Sequence, residues 1–285
     1  MWKQQIESYV SWLKKAGKAE ATVIAYQKDI EQLAEFLMKG GKTDFQQVTA
    51  EDIEAYKAEL NTLRYTDKSV SRKLNSIKSF FRYLLETDVV AENPVRKVSH
   101  PKYKVAPPRV LAKTEYRALR DACKTDARMS AVIELLLQTG IRISELAGMQ
   151  LEDINLDKQE LFIRAHGSHG SRIVPLNEAA CDAIRLYEKI RPRTKERTFF
   201  LTKSCRPFLV RNIRSAIDRY FKIAGIEDAK VNDLRHTFIV EQLAAGVPLV
   251  NVSKIVGHKR LSTTERYLQF LDLEDMHTDV EIREL

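Results

Sequence analysis

Cysteine is scarce in this chain of 285 residues: there are three, Cys123, Cys181 and Cys205. Their odd number and lack of ligand spacing argue against a disulfide framework and a structural zinc site, and fit a reducing compartment. Long apolar runs are missing too. The densest, "AVIELLLQTG", is short and carries Glu134, so no segment reads as a membrane span. The start, "MWKQQIESYV", lacks the basic-then-apolar pattern of a secretion signal. No internal repeat or low-complexity tract appears. What remains is the profile of a soluble cytoplasmic protein. Its length allows two domains, and its 44% apolar content allows a sizeable core.

Bases outnumber acids in the chain as a whole, but not at its end. From Leu271 to Leu285 six acids stand against one base, a charge of −5; the net charge is +8, so the remaining residues carry +13. A basic body of this kind suits a polyanion, most often nucleic acid, although charge alone also fits an unspecialised basic surface.

The first hundred residues read as four helices. Ile6, Tyr9, Val10 and Leu13 recur at helical spacing, as do Val23, Tyr26, Ile30, Leu33 and Leu37. Thr49 with an acid three residues later opens a third helix. The fourth buries Val70, Leu74, Ile77, Phe81 and Leu84, while its other face carries Lys68, Arg72, Asn75, Ser79 and Arg82. That stripe suits a DNA groove and its phosphates; a solvated helix face is the plainer reading. Four prolines (Pro94, Pro101, Pro107 and Pro108) among basic residues then read as an extended tether. The expected organisation is a helical core-binding domain at 1–100, a linker at 101–109 and a second domain at 110–285.

The second domain reads as helices around one hairpin. The strands "ELFIRA" and "SRIVPL" flank the turn "HGSHG", and helices return on either side. The expected class is mainly α with a small antiparallel β-sheet. "KSCRPFLVRNIRSAIDRY" is a second basic region, with Arg211 and Arg214 as candidate DNA contacts; two such regions in tethered domains suggest a clamp on duplex DNA.

Four segments carry the chemistry: "TGIRISELAGM", "AHGSHGSRIVPL", "NDLRHTFIVEQLAAG" and "VGHKRLSTTERYLQF". Arg235 precedes His258 by 23 residues, and His258 precedes Tyr267 by nine. Together they resemble the tyrosine recombinase family, the group that includes phage integrases and Xer-type recombinases. The resemblance implies a SAM-like N-terminal domain and an α+β catalytic domain. It also implies attack by a phenol on a DNA phosphodiester, giving a 3′-phosphotyrosyl link and a free 5′-hydroxyl, with no cofactor and no metal. On it, Tyr267 is the nucleophile, Arg142 and Arg235 hold the phosphorane oxygens, and His258 donates to the phosphate or exchanges a proton with the phenol. The roles are physically apt. A free phenol titrates at about 10 and needs activation. Guanidinium forks match the equatorial oxygens of the transition state. Glu145, one turn after Arg142, buttresses the site. Each residue also has a plain alternative: Arg235 could pair with Asp233 or Glu241, and Tyr267 could be a core aromatic beside Leu268 and Phe270.

Two positions depart from the family. Its hairpin turn carries a lysine that protonates the 5′-oxygen; here the turn has none, and His166 or His169 is the candidate acid. Its position three residues before the second arginine is His or Lys; here it is Asn232, which can donate to a phosphate but moves no proton. His236 in "LRHTF" reads as structural. These departures favour a mobile-element integrase or transposon cointegrate resolvase over a housekeeping Xer protein. The acidic tail at 271–285 either docks on a neighbouring subunit, as the resemblance implies for a homotetramer on paired recombination sites in double-stranded DNA, or folds back onto its own domain. The implied setting is cytoplasmic and nucleoid-associated, with no membrane partner. The rival readings are a DNA-binding accessory protein that keeps the fold without the catalysis, and a relaxing enzyme like the type IB topoisomerases.

Overall fold

The computed structural model describes residues 2–103, 107–165 and 169–271. The chain divides into two compact units, Met1–Ala106 and Pro107–Leu285.

The first unit is built from α1 (Trp2–Lys15), α2 (Glu20–Lys39), α3 (Ala50–Thr62) and α4 (Asp67–Glu86). The apolar stripes read from the sequence meet in one core, where Tyr9, Leu13, Ile30, Leu33, Ile53, Leu74, Ile77, Phe80 and Phe81 are almost fully buried. Each such Leu, Ile or Phe contributes about 1.5–3 kcal/mol of burial. Thr49 begins α3 with the expected reciprocal cap: its backbone N–H donates to Asp52 at 2.9 Å, and the Asp52 N–H donates to the Thr49 hydroxyl at 3.4 Å.

The proline-containing stretch does not begin as a tether. Pro94–Lys97 forms a 3-10 turn, and Val95 and Val98 enter the first core. Lys57 Nζ donates to the Ser99 carbonyl at 2.9 Å. Asn93 caps the turn by accepting the Val95 N–H at 3.1 Å, and Pro94 stands at its first position, where its fixed φ suits a helical turn.

The second unit contains α5 (Lys113–Cys123), α6 (Ala127–Thr139), α7 (Ile143–Ala147), β1 (Ile154–Asn155), β2 (Glu160–Ile163), β3 (Arg172–Pro175), α8 (Glu178–Ile190), α9 (Val210–Ile223), α10 (Val231–Ala244), α11 (Leu249–Val256) and α12 (Ser262–Glu265). It is mainly α with a small antiparallel sheet, in the order β1-β2-β3. The expected hairpin is present, with Leu161 opposite Val174 and Ile163 opposite Arg172. The two-residue β1 adds a third strand through Ile154 opposite Leu161. It is too short to leave a periodic signal in sequence.

Helix α6 is the axis of this unit. It is apolar almost all round, with Met129, Val132, Ile133, Leu135 and Leu136 buried, as a helix enclosed by others should be. It packs on α5, α8 and α10. Helix α11 lies against α10 and β3, which carries its C-terminal end to the place where the sequence motifs converge. The last expected helix, "STTERYLQFL", is broken. Ordinary helix stops after Glu265, and a 3-10 turn runs over Leu268–Phe270, leaving Tyr267 at the junction.

Candidate active site

Two helix C-termini form the floor of the site, and glycine closes both. Helix α6 ends at Gly140 with φ +60°, in the left-handed region. A Cβ there would lie 2.3 Å from Phe238 Cδ1, so the position has neither the conformation nor the room for a side chain. Helix α11 ends at Gly257 with φ +67°. The His258 N–H returns to the Ser253 carbonyl at 3.0 Å and the Gly257 N–H to Lys254 at 3.1 Å, the paired bonds of a Schellman cap. The last carbonyls of both helices remain as acceptors at the negative ends of helix dipoles.

The arginines fill those acceptors. Arg235, on α10, is only 6% exposed. It donates from Nη1 to the Gly140 carbonyl and from Nη2 to the Val256 carbonyl, the latter at 2.7 Å. It therefore pairs with neither Asp233 nor Glu241; the Asp233 carboxylate instead caps α10 by accepting the Lys230 N–H at 2.7 Å. Burial, and then the charge of Arg142, press the Arg235 guanidinium down to about 9, with Glu145 opposing; the group stays charged at neutral pH. Arg142 precedes α7 and donates to the Gly257 carbonyl at 2.9 Å and to Glu145 at 2.9 Å.

Glu145 holds this arrangement together. Its side chain is 4% exposed. It accepts the Arg142 backbone N–H at 2.8 Å, which caps α7, and two bonds from Arg172 of β3 at 2.9 and 2.8 Å. Arg172 also donates to the Ile255 carbonyl at 2.6 Å. Burial alone would raise the Glu145 pKa. The Arg172 and Arg142 bonds and charges outweigh it and hold the carboxyl at about 2. Three guanidinium groups around one carboxylate leave a surplus of two positive charges, an electrostatic site for an anion.

Tyr267 and His258 stand beside this cluster. Tyr267 is 7% exposed and packs in a small core with Phe238, Val252 and Val256. Its ring lies nearly parallel to that of His258, with centroids 6.3 Å apart. Burial raises the phenol's pKa, while the charge of Arg235 partly offsets it. His258 Nδ1 lies 2.8 Å from the buried Thr264 hydroxyl. Burial, then Arg235 and Arg142, push the imidazole down to about 4, so it is neutral at physiological pH. The Tyr267 hydroxyl lies 2.7 Å from His236 Nδ1, and His236 Nε2 lies 2.9 Å from Asn232 Nδ2.

Of the two hairpin histidines, His166 lies outside the described residues. Burial lowers the pKa of His169, and the charges of Arg142 and Lys259 lower it further. The acidic tail at 272–285 also lies outside the described residues. On α9, Arg211 and Arg214 are exposed. In the first unit, Lys68, Arg72 and Arg82 lie on the exposed side of α4, but Arg72 is not a free cation. Its guanidinium forms a two-point pair with buried Asp29 of α2 at 2.5 and 2.8 Å while 48% of the side chain stays exposed. Lys73 and Ser76 share the same carboxylate.

Sequence reasoning brought Arg142, Arg235, His258, Tyr267 and Glu145 together, and the fold does so. It missed Arg172, His236 and Thr264. The exchange of a charged residue for Asn232 one turn before His236 was the available signal for the second of these.

Comparison with known proteins shows the family of the chain. Residues 109–274 match the phage integrase family model, and residues 6–87 match the model of the phage integrase N-terminal SAM-like domain. The chain is 30% identical to a protein named tyrosine recombinase XerC from Roseiflexus castenholzii, over 96% of this chain and 91% of that one. It is 32% identical to the XerC of Listeria innocua, over 87% of each. Among solved structures, the XerA recombinase aligns over 96% of both chains at 25% identity and a TM-score of 0.55. The Tn1549 transposon integrase bound to circular intermediate DNA shares the fold at a TM-score of 0.75 and 18% identity, over 92% of this chain and 94% of that one. The chain belongs to the phage integrase family, and is a tyrosine site-specific recombinase.

Proposed function

We propose that the protein cuts and rejoins double-stranded DNA at paired recombination sites through a 3′-phosphotyrosyl intermediate on Tyr267. The observation that carries this is the convergence of Arg142 and Arg235 on the C-terminal carbonyls of α11, with His258 next in the chain and Tyr267 beside it.

The step follows from that arrangement. A scissile phosphate enters where positive charge is in surplus, and the two guanidinium groups take its non-bridging oxygens. The bond from Tyr267 Oη to phosphorus forms as the bond to the 5′-oxygen breaks. The phenol loses a proton and the 5′-oxygen gains one. His258 is neutral and has Nδ1 engaged by Thr264, which leaves Nε2 to donate to the phosphate. His169 is the described candidate for the acid at the 5′-oxygen, with His166 as its alternative. Burial, then the charges of Arg142 and Lys259, lower its pKa, and the negative charge of a bound phosphate would raise it. The exposed cations Lys68, Arg82, Arg211 and Arg214 serve the DNA backbone. A homotetramer joined through the 271–285 tail completes the reading by analogy with the family.

The choice of a mobile-element role rests on the hairpin and Asn232 alone. The relatives at 30–32% identity carry Xer names, and neighbouring genes decide between the two.

The test uses nicked duplexes with randomised arms, since no target sequence is given by the fold. After denaturation, a DNA-linked band with the native protein and none with Tyr267→Phe supports the reading. Equal behaviour of the two favours an accessory DNA-binding protein. Relaxation of supercoiled plasmid without any joining of two sites favours a topoisomerase-like enzyme.

A further inference from the structure

His236 entered as a structural residue and Asn232 as a weakened phosphate contact, yet both are joined to the phenol. Asn232 and His236 are one turn apart on α10, so their side chains meet on one face of the helix. Asn232 Nδ2 lies 2.9 Å from His236 Nε2. An amide nitrogen only donates, so Nε2 accepts, and the one proton of a neutral imidazole then sits on Nδ1. Nδ1 lies 2.7 Å from Tyr267 Oη and donates to it. The ring is held at 5.6 Å and 38° from the phenol ring.

We infer that Asn232 and His236 form a hydrogen-bond relay that prepares Tyr267: Asn232 fixes the tautomer, and His236 Nδ1–H donates to the phenol oxygen and stabilises its negative charge as it develops. The inference rests on the reading of Tyr267 as the nucleophile.

The relay has a directional consequence. A nitrogen that already carries a proton cannot receive the phenol's, so His236 is a donor and not the base. The phenol O–H points away from His236, and its proton passes on that side to a non-bridging oxygen of the bound phosphate or to water. His236 keeps its own proton throughout. Burial, with the charge of Arg235, lowers the pKa of His236 although Asp233 opposes them, which keeps the ring neutral and its tautomer meaningful. The loss of a charged side chain at position 232 is thus matched by a new use: the amide acts on the nucleophile rather than on the phosphate.

The test uses the full chain with nitrogen-15-labelled histidine and, separately, with difluorotyrosine in place of Tyr267, whose phenol titrates nearer neutrality. Long-range nitrogen–proton spectra should show His236 as the Nδ1–H tautomer, and Asn232→Leu should turn it into a mixture. His236→Phe should raise the fluorophenol midpoint by about one pH unit. His236→Asn, which returns an N–H near the Nδ1 position, should restore most of the shift. Adduct formation on the nicked random-arm duplexes should fall about ten- to a hundredfold in His236→Phe and recover in His236→Asn. An Nε2–H tautomer, or a fluorophenol midpoint that His236→Phe does not move, overturns the relay whether or not adduct forms. The expected tautomer with no adduct from the native chain overturns the nucleophile reading instead.

Discussion

Arg142 and Arg235 stand 93 positions apart in the chain, yet both donate to the final carbonyls of α11, Arg142 to Gly257 at 2.9 Å and Arg235 to Val256 at 2.7 Å. His258 is the next residue after those acceptors. One helix end therefore sets the positions of two cations and an imidazole, and an error in that end displaces all three.

Arg235→Lys tests the fork. A lysine keeps the charge but cannot serve two carbonyls and a phosphate in one plane. The expected result is a folded protein whose single-turnover rate of adduct formation is down about 10²- to 10³-fold, the cost of losing one preorganised donor to transition-state charge.

Glu145→Gln tests the buttress through its pH dependence. The folded carboxyl sits at about 2, below its ordinary value of 4.5. Its stabilisation is complete above about pH 4.5 and is lost as pH falls toward 2, a span equivalent to about 3 kcal/mol. At neutral pH the substitution should destabilise by about 3–5 kcal/mol, because Arg142 and Arg172 lose a buried partner. In urea unfolding, the gap between native and variant proteins should narrow as pH is taken from about 6 to about 3. A gap that widens would contradict the assignment.

Gly140→Ala tests the helix end. The new Cβ would meet Phe238 at 2.3 Å and sit at φ +60°. Strain and overpacking together should cost roughly 2–4 kcal/mol. Because the Gly140 carbonyl accepts Arg235, adduct formation should fall more than lowered stability explains, measured below the melting transition.

The exposed cations separate by their partners. Lys68→Ala, Arg211→Ala and Arg214→Ala should weaken binding to arbitrary duplexes and each reduce the salt slope by about one. Arg72→Ala should in addition lower the melting temperature, since it leaves Asp29 with Lys73 and Ser76 alone. Equal melting temperatures for Lys68→Ala and Arg72→Ala would sink that distinction.

These contrasts show what the sequence could and could not disclose. The four N-terminal helices were legible because each carries a wide apolar face at helical spacing, and the hairpin because its strands flank a glycine-containing turn. The cluster of Arg142, Arg235, His258 and Tyr267 was legible through motif spacing. Pairings between distant elements were not. Arg72 meets Asp29 across 43 positions, and Arg172 meets Glu145 across 27, with no local pattern to announce either. The break at Tyr267 was hidden because "STTERYLQFL" keeps helical periodicity through the point where the helix ends. His236 looked structural because its partner on one side is an asparagine that departs from the family's pattern.

The most direct measurement is the chemical identity of the DNA linkage. Adduct trapped on nicked duplexes is digested with nuclease and protease, and the nucleotide-bearing peptide is sequenced by mass spectrometry. The account predicts a nucleotide joined through its 3′-phosphate to the oxygen of Tyr267. A nucleotide on any other residue, or a linkage through a 5′-phosphate, would contradict it.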